Sequence, residues 1–353
     1  MNAHRRHKPY VIPVFIPHAG CPHQCLFCDQ TRTTNRDRTF PTEAQIHAEI
    51  NRFLDYRRDH HRWTEISFFG GNFLGLADNQ ILQLLAAADK YIQTGKAQGI
   101  RFSTRPDTID EKRVALIRDY PVSTIEIGAQ SMNASVLTVS RRGHSPDDTI
   151  KAIRLLKNNG FRTGLQLMVG LPAESEQEAV TSAQQMADLA PDFVRIYPCL
   201  VLRGSPLARW YSQGRYIPLS LEKSVSLVKR IYRLMTVRGI AVIRMGLQPT
   251  TELNTGAGVL AGPFHPAYGE LVYSALWMDA LQRTLLSHNI NDRKLTIEVH
   301  PRAGSRIRGH RSCNLKRLRR QYHLSSIEVL PNSRMSSDLA MLNGVSCPLI
   351  PDE

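Results

Sequence analysis

No apolar run among the 353 residues reaches the roughly 20 residues that a membrane-spanning helix needs. The opening Met1-Asn2-Ala3-His4-Arg5-Arg6 also lacks the apolar segment of a secretory leader. Those two absences exclude a helical membrane protein and make the cytoplasm the expected compartment. Cysteine is scarce: there are six, and nothing in their spacing reads as a disulfide framework. Acids are outnumbered, 31 against 45 Lys and Arg, for a net charge of +14. There is no low-complexity segment and no internal repeat beyond a β-α unit. What remains, 42% hydrophobic and 22% charged, is the composition of a globular protein with ample core.

Half of the cysteines fall within eight residues, Cys21-Pro22-His23-Gln24-Cys25-Leu26-Phe27-Cys28. Clustered thiols in such a chain read as metal ligands. Three thiolates are one short of the four that usually close an iron–sulfur cluster or a structural zinc site. A cubane held by three leaves one iron open to chemistry; a zinc knuckle completed by His18 or His23 is the alternative. Cys199, Cys313 and Cys347 stand singly and read as small buried hydrophobes.

Apolar, β-branched runs alternate with amphipathic helices through residue 245. The strand candidates are Val11–Ile16, Glu65–Phe69, Ile100–Thr104, Thr124–Gly128, Gly164–Val169 and Asp192–Tyr197, with a possible seventh at Ile240–Met245. Capping boxes at Thr42/Gln45 and Ser175/Glu178 start two helices, and Ser145 with Pro146 starts another. Strands separated by helices of this length imply parallel β-α-β units, and six in a row predict an α/β fold, a partial (β/α)6 barrel of the TIM-like kind. Residues 1–245 form that core. Residues 246–292 read as loop and a helix (Glu270–Ser287) closing the barrel. Residues 293–353 read as a small basic α/β extension: strand Leu295–His300, helix Asn314–Tyr322, strand Ser326–Leu330 and short helix Ser336–Leu342. From Arg293 to His323 there are ten Lys or Arg and one acid, a local excess of +9. Charge so one-sided points to an anionic macromolecule as partner, RNA first.

In such a barrel, chemistry sits in loops at the C-terminal ends of the strands. Each unusual polar cluster falls there: the cysteine loop, Phe69-Gly70-Gly71-Asn72-Phe73, Ser103-Thr104-Arg105-Pro106-Asp107, Glu126-Ile127-Gly128-Ala129-Gln130-Ser131 with Arg141-Arg142-Gly143-His144, Gln166 to Pro172, and Arg195 to Pro198. The cysteine spacing, with an aromatic just before the last cysteine, resembles the cluster motif of the radical S-adenosylmethionine (SAM) superfamily. The further motifs, among them Arg142-Gly143-His144, Gly170-Leu171-Pro172 and Arg195 through Pro206, resemble its elongator catalytic-subunit-like branch over nearly the whole chain.

That resemblance implies a [4Fe–4S] cluster on Cys21, Cys25 and Cys28 and a SAM whose amino and carboxylate groups chelate the open iron. Gly70, Gly71 and Asn72 would then face the ammonium, Arg142 (or Arg141) the carboxylate, Gln130 and Gln166 the ribose, and Phe27 with Leu171 the adenine. It also implies reductive cleavage of SAM to a 5′-deoxyadenosyl radical, fed by a reductant such as flavodoxin or ferredoxin. Three departures shape the expected substrate. There is no long insert between the first two cysteines, and the last sixty residues are too few for an acetyltransferase, so carboxymethyl-type chemistry on uridine is not expected. Gln30 stands where a porphyrin-decarboxylating cousin has a cysteine. Asn72 stands where Glu or Thr often follows Gly-Gly. RNA remains the leading substrate, with a small-molecule or porphyrin-like substrate second and a non-catalytic zinc- or cluster-bearing RNA-binding module as the contrasting class.

Overall fold

The computed structural model describes residues 9–16, 18–22, 24–29, 40–59, 61–247, 258–290 and 292–351. It begins with strand β1 (Tyr10–Phe15), helix α1 (Glu43–Asp55), β2 (Thr64–Phe69), α2 (Asp78–Gln93), β3 (Gly99–Thr104), α3 (Glu111–Ile117) and β4 (Val122–Gln130). Helices α4 (Ala134–Val139) and α5 (Pro146–Asn158) precede β5 (Arg162–Val169), followed by α6 (Glu176–Asp188) and β6 (Phe193–Pro198). Then come β7 (Val201–Leu202), α7 (Pro206–Ser212), α8 (Leu221–Val237), β8 (Ala241–Met245), β9 (Val259–Ala261) and the long α9 (Tyr268–Ser287). Seven strands pair in parallel in the order β1-β2-β3-β4-β5-β6-β8 and curl into a half-barrel.

The local signals act as their chemistry dictates. Thr42, Ser145 and Ser175 each accept the N3 backbone N–H of α1, α5 and α6, while the N3 side chain returns to the cap. One face of the strands carries Ile12, Val14, Ile66, Phe68, Ile100, Phe102, Ile125 and Ile127, all buried in the main core with Ile46 and Ile50 of α1. Each such side chain stabilises the fold by about 1.5–3 kcal/mol relative to leaving it in water. The alternate face of the same strands carries Glu65, Arg101, Glu126, Gln166 and Arg195, so the period of two separates an oily outside from a charged inside.

The C-terminal unit comprises β10 (Lys294–Val299), α10 (Gly304–Arg308), α11 (Cys313–Gln321), β11 (Ser326–Pro331), β12 (Leu339–Leu342) and β13 (Val345–Pro348), in a sheet of order β11-β10-β12-β13. The short helix expected at Ser336–Leu342 is not there; Leu339–Leu342 is a strand, hairpinned to β13. Asn343 and Gly344 form the two-residue turn, with φ of 46° and 84°. Two adjacent positive φ angles suit Asn-Gly, and that dipeptide overrides the helical spacing of the leucines before it. Asn343 Oδ1 also accepts the Thr296 N–H at 2.7 Å, pinning the turn to β10. The segment read as loop after Met245 contributes β9, antiparallel to β7; its residues 248–257 lie outside those described. The unit docks on α9: Asn314 donates to the Ser274 carbonyl at 2.9 Å, Gln282 to Gln321 at 2.8 Å and Arg283 to the Pro348 carbonyl at 2.8 Å. Among the described residues, no helix is long and apolar enough to cross a membrane.

Candidate functional site

The cysteine loop is clamped to the strand ends by backbone packing. The His18 N–H donates to the Gly70 carbonyl at 2.7 Å, and the Asn72 N–H to the Ala19 carbonyl at 2.8 Å. A Cβ on Gly71 would lie 2.5 Å from the Ile16 carbonyl oxygen and 2.7 Å from that of Ala19, so only glycine fits. Gly70, at a φ of +86°, makes the turn that allows this approach. Asn72 is fully buried. Its Oδ1 accepts from Thr104 Oγ1 at 2.7 Å, Thr108 Oγ1 at 2.9 Å and the Arg105 N–H at 2.9 Å, while Nδ2 donates to the Gly20 carbonyl at 2.8 Å. Asn72 therefore locks the loop to the end of β3, and any contact to a ligand's ammonium here belongs to backbone carbonyls.

Arg142 is the charged centre of the arrangement. It is 6% exposed and turns inward, donating from Nη1 to Cys25 Sγ at 3.1 Å and from Nη2 to the Gly128 carbonyl at 2.6 Å. Its guanidinium stands 6.0 Å from the Phe27 ring centroid. Arg105, held bidentate by Asp107 at 2.9 Å on both oxygens, donates to the Arg142 carbonyl. Arg141 has a φ of 55° and points to solvent on the rim of an open cavity of about 660 Å3. Of the two adjacent arginines, Arg142 is the one with a hydrogen bond to the cysteine loop among the described residues, while Arg141 shares the cavity rim with Pro22 and Gln24. Gln130, at a φ of 69° after a bulge in β4, comes to the same place: a Cβ on Gly128 would meet Gln130 Nε2 at 3.0 Å and Arg142 Nη2 at 3.5 Å. His144, with Nε2 3.2 Å from the Ala129 carbonyl, is pushed down to about 4 by burial and then by Arg142 and Arg105, so it is neutral near pH 7.

Phe27 and Leu171 share a second apolar cluster with Leu26, Met168, Cys199 and Tyr216. Two residues not singled out from the sequence shape this wall. Glu174 Oε2 accepts the N–H groups of Gly170 at 2.8 Å and Leu171 at 3.2 Å, and Tyr216 donates to the Gly170 carbonyl at 2.6 Å. Burial lifts the Glu174 carboxyl to about 8 against those two N–H bonds. Deeper in the barrel, Arg101 Nε donates to Glu126 at 2.6 Å, Arg101 Nη1 pairs with Glu65 at 3.3 Å, and Arg195 pairs with Glu126 at 2.9 Å. Burial opposes the charge on Glu126, but Arg195 and Arg101 outweigh it and hold the carboxyl below its ordinary range. Gln166 is drawn into this network, donating to Glu126 at 3.1 Å and Ser103 at 3.3 Å. Glu126 and Arg195 lie in motifs quoted above, yet nothing local in sequence reveals their pairing.

The donor set fits a cluster in two respects. Burial first, and then the charge of neighbouring cysteines, raises the thiols of Cys21 and Cys28. Three bare thiolates do not belong together in this loop, and the positive charge of iron would let all three ionise. Arg142 Nε is buried with no hydrogen-bond partner among the described residues, a donor left over beside Cys25 for an anionic ligand group. Among the described residues, no three His, Cys, Asp or Glu side chains stand close enough to grip one metal ion between them. His23 and Gln30 lie outside the described residues. Cys199 is buried in the apolar cluster it shares with Leu26 and Phe27, Cys347 is buried in β13, and Cys313 is exposed on the C-terminal unit.

Comparison with known proteins gives this geometry a family. Residues 15–186 match the radical SAM superfamily model, and residues 191–278 match the radical SAM C-terminal domain. The chain is 27% identical over 264 residues to the tRNA uridine(34) acetyltransferase of Methanocaldococcus infernus, covering 64% of this chain and 49% of that protein. It is 30% identical over 164 residues to human Elongator complex protein 3, covering 46% of this chain and 30% of that one. The chain thus spans about half or less of these relatives. Among solved structures, the archaeal Elp3 of Methanocaldococcus infernus superposes with a TM-score of 0.59 at 20% identity, over 96% of this chain and 76% of that one, which establishes the shared fold. Radical SAM enzymes use a [4Fe–4S] cluster and SAM, the two groups whose requirements this loop and its arginine meet. The chain belongs to the radical SAM superfamily, on its elongator-like branch.

Proposed function

We propose that this protein is an enzyme that binds SAM against a cluster on Cys21, Cys25 and Cys28 and acts on an RNA of tRNA-like form. When bound, the reduced cluster and SAM would supply a 5′-deoxyadenosyl radical that abstracts hydrogen from the substrate. Arg142 carries the reading: one guanidinium meets Cys25 Sγ at 3.1 Å and keeps a buried, unpartnered Nε for a carboxylate. Gln130 stands beside it to meet a ribose, and Gln166 belongs to the same lining through Glu126. Phe27 and Leu171 supply the apolar slot for an adenine, its wall stiffened by Glu174 and Tyr216. Gly70, Gly71 and Asn72 hold the loop and leave backbone carbonyls to the ammonium. A small cytoplasmic reductant, a flavodoxin or ferredoxin, would deliver the electron.

The RNA substrate is supported by relatives named for tRNA uridine modification and by the basic C-terminal charge. The test is 5′-deoxyadenosine formation by anaerobically reconstituted protein with SAM and dithionite, with and without unfractionated tRNA. Turnover that rises with tRNA is expected. Absence of 5′-deoxyadenosine in both arms contradicts the radical reading, and equal yields in both arms contradict the RNA substrate.

A further inference from the structure

The C-terminal unit concentrates charge in a way the barrel does not. Of the ten Lys and Arg between Arg293 and Arg320, nine are exposed. The tenth, Arg306, is the one found in an ion pair among the described residues, bidentate to Glu270 at 2.8 Å. Helix α11 sorts its residues by face. Asn314 and Leu318 turn toward α9 and are buried, while Lys316, Arg317 and Arg320 lie opposite with the exposed Cys313 among them. Arg319 is exposed but folds back to donate to the carbonyls of Leu324 and Ser325, so it braces the end of the helix.

This face starts at the barrel mouth. Gly269, in the first turn of α9, lies against the end of β8: a Cβ there would be 3.4 Å from the Met245 carbonyl oxygen. Beside that turn, a cleft of about 320 Å3 separates His265, Ala267 and Glu270 from Arg306, Gly309, His310 and Arg311. The His265 and His310 rings meet edge to face at 5.9 Å. Arg311 and Ser312, with φ of 51° and 59°, are consecutive non-glycine residues in the left-handed region just before α11. That backbone turns His310 and Arg311 to the cleft and hands the basic row on to Lys316, Arg317 and Arg320. A row of exposed cations without acids between them matches a row of phosphates, and flat rings at its inner end suit an unstacked base.

We propose that this face, from the His265/His310 cleft along α11, binds the phosphodiester backbone of RNA and anchors it beside the barrel mouth. The proposal rests on the RNA-substrate reading above and assigns that substrate its docking surface.

The test uses the full chain and fluorescein-labelled unfractionated tRNA across a salt series. In a variant carrying Arg311→Gln, Lys316→Gln, Arg317→Gln and Arg320→Gln, affinity should fall about a hundredfold or more. The log–log salt slope should become shallower by about 0.7 for each contact removed. Changing the three arginines to lysine should retain most of the slope, which separates lost charge from lost fold. Bound tRNA should also protect Cys313 from alkylation in the unaltered protein. If the glutamine variant binds tRNA as the parent does, with the same slope, the surface assignment is wrong while an RNA substrate stands. If the parent itself binds no tRNA, the substrate reading and the surface both fail. If the variant instead loses affinity only for a reduced flavodoxin, the face is a reductase dock and the proposal is overturned.

Discussion

The barrel interior and the outer face of the C-terminal unit are both rich in arginine, and they use it in opposite ways. Inside, Arg101 and Arg195 sit among Glu65, Glu126 and Gln166, and the two carboxylates are shared between the two guanidinia. Outside, Arg311, Lys316, Arg317 and Arg320 stand in solvent with no ion pair among the described residues. Buried, an arginine must be matched at once, because an uncompensated charge in a low dielectric is costly. Exposed, it keeps its charge at little expense and remains free to meet a partner's. Arg142 lies between the extremes: buried like the first group, partly uncommitted like the second.

The comparison breaks most sharply inside. Glu126→Gln leaves Arg101 and Arg195 sharing one carboxylate fewer, and stability should fall by about 3–5 kcal/mol. Urea unfolding of the apoprotein checks this; a loss below 1 kcal/mol would mean the network is wet and dispensable. Arg142→Ala should weaken SAM binding about ten- to a hundredfold, the worth of one charge-assisted contact of roughly 1.5–3 kcal/mol. Isothermal titration on the cluster-loaded protein measures it, with Arg141→Ala as the paired control expected to change little.

Glu174 sharpens the comparison through pH. Its folded carboxyl titrates near 8, above its ordinary 4.5, so the folded state holds a proton that the unfolded chain has released. Its contribution is therefore full below about 4.5 and is lost as pH rises toward 8. Glu174→Gln should flatten the fall in melting temperature over that window, and an unchanged profile would show the carboxyl to be solvated. Smallest of all, the fourfold glutamine change on α11 and Arg311 should alter stability by no more than about 0.5 kcal/mol, because it removes no buried partner. A larger loss by urea unfolding would place those side chains in the fold instead of on a docking face.

What was legible in the sequence was local. The cysteine triplet, the capping boxes and the β-branched runs are short-range patterns, and the observed strand bounds fall within a few residues of those expected. The Asn343-Gly344 hairpin was equally local but was masked by Leu339 and Leu342 at helical spacing. Other features depend on contacts far apart in the chain. The Gly70-Gly71 pair is visible in sequence as a place for close backbone approach, but that the Gly71 Cβ position is bounded by the chain's own carbonyls at Ile16 and Ala19 is not. Two adjacent arginines cannot be told apart by spacing; the left-handed turn at Arg141 and the Arg142 N–H bonded to the Leu137 carbonyl decide which one points inward. Glu174 and Tyr216 act on Gly170 from two different segments, and no periodicity announces that.

The central claim is that Cys21, Cys25 and Cys28, and no other cysteines, hold an iron–sulfur cluster beside Arg142. The most direct measurement is iron per chain after anaerobic reconstitution, in the parent protein and in Cys25→Ala and Cys313→Ala. The account predicts about four irons per chain in the parent and in Cys313→Ala, with loss of the cluster in Cys25→Ala. Full iron content in Cys25→Ala, or its loss in Cys313→Ala, would contradict it.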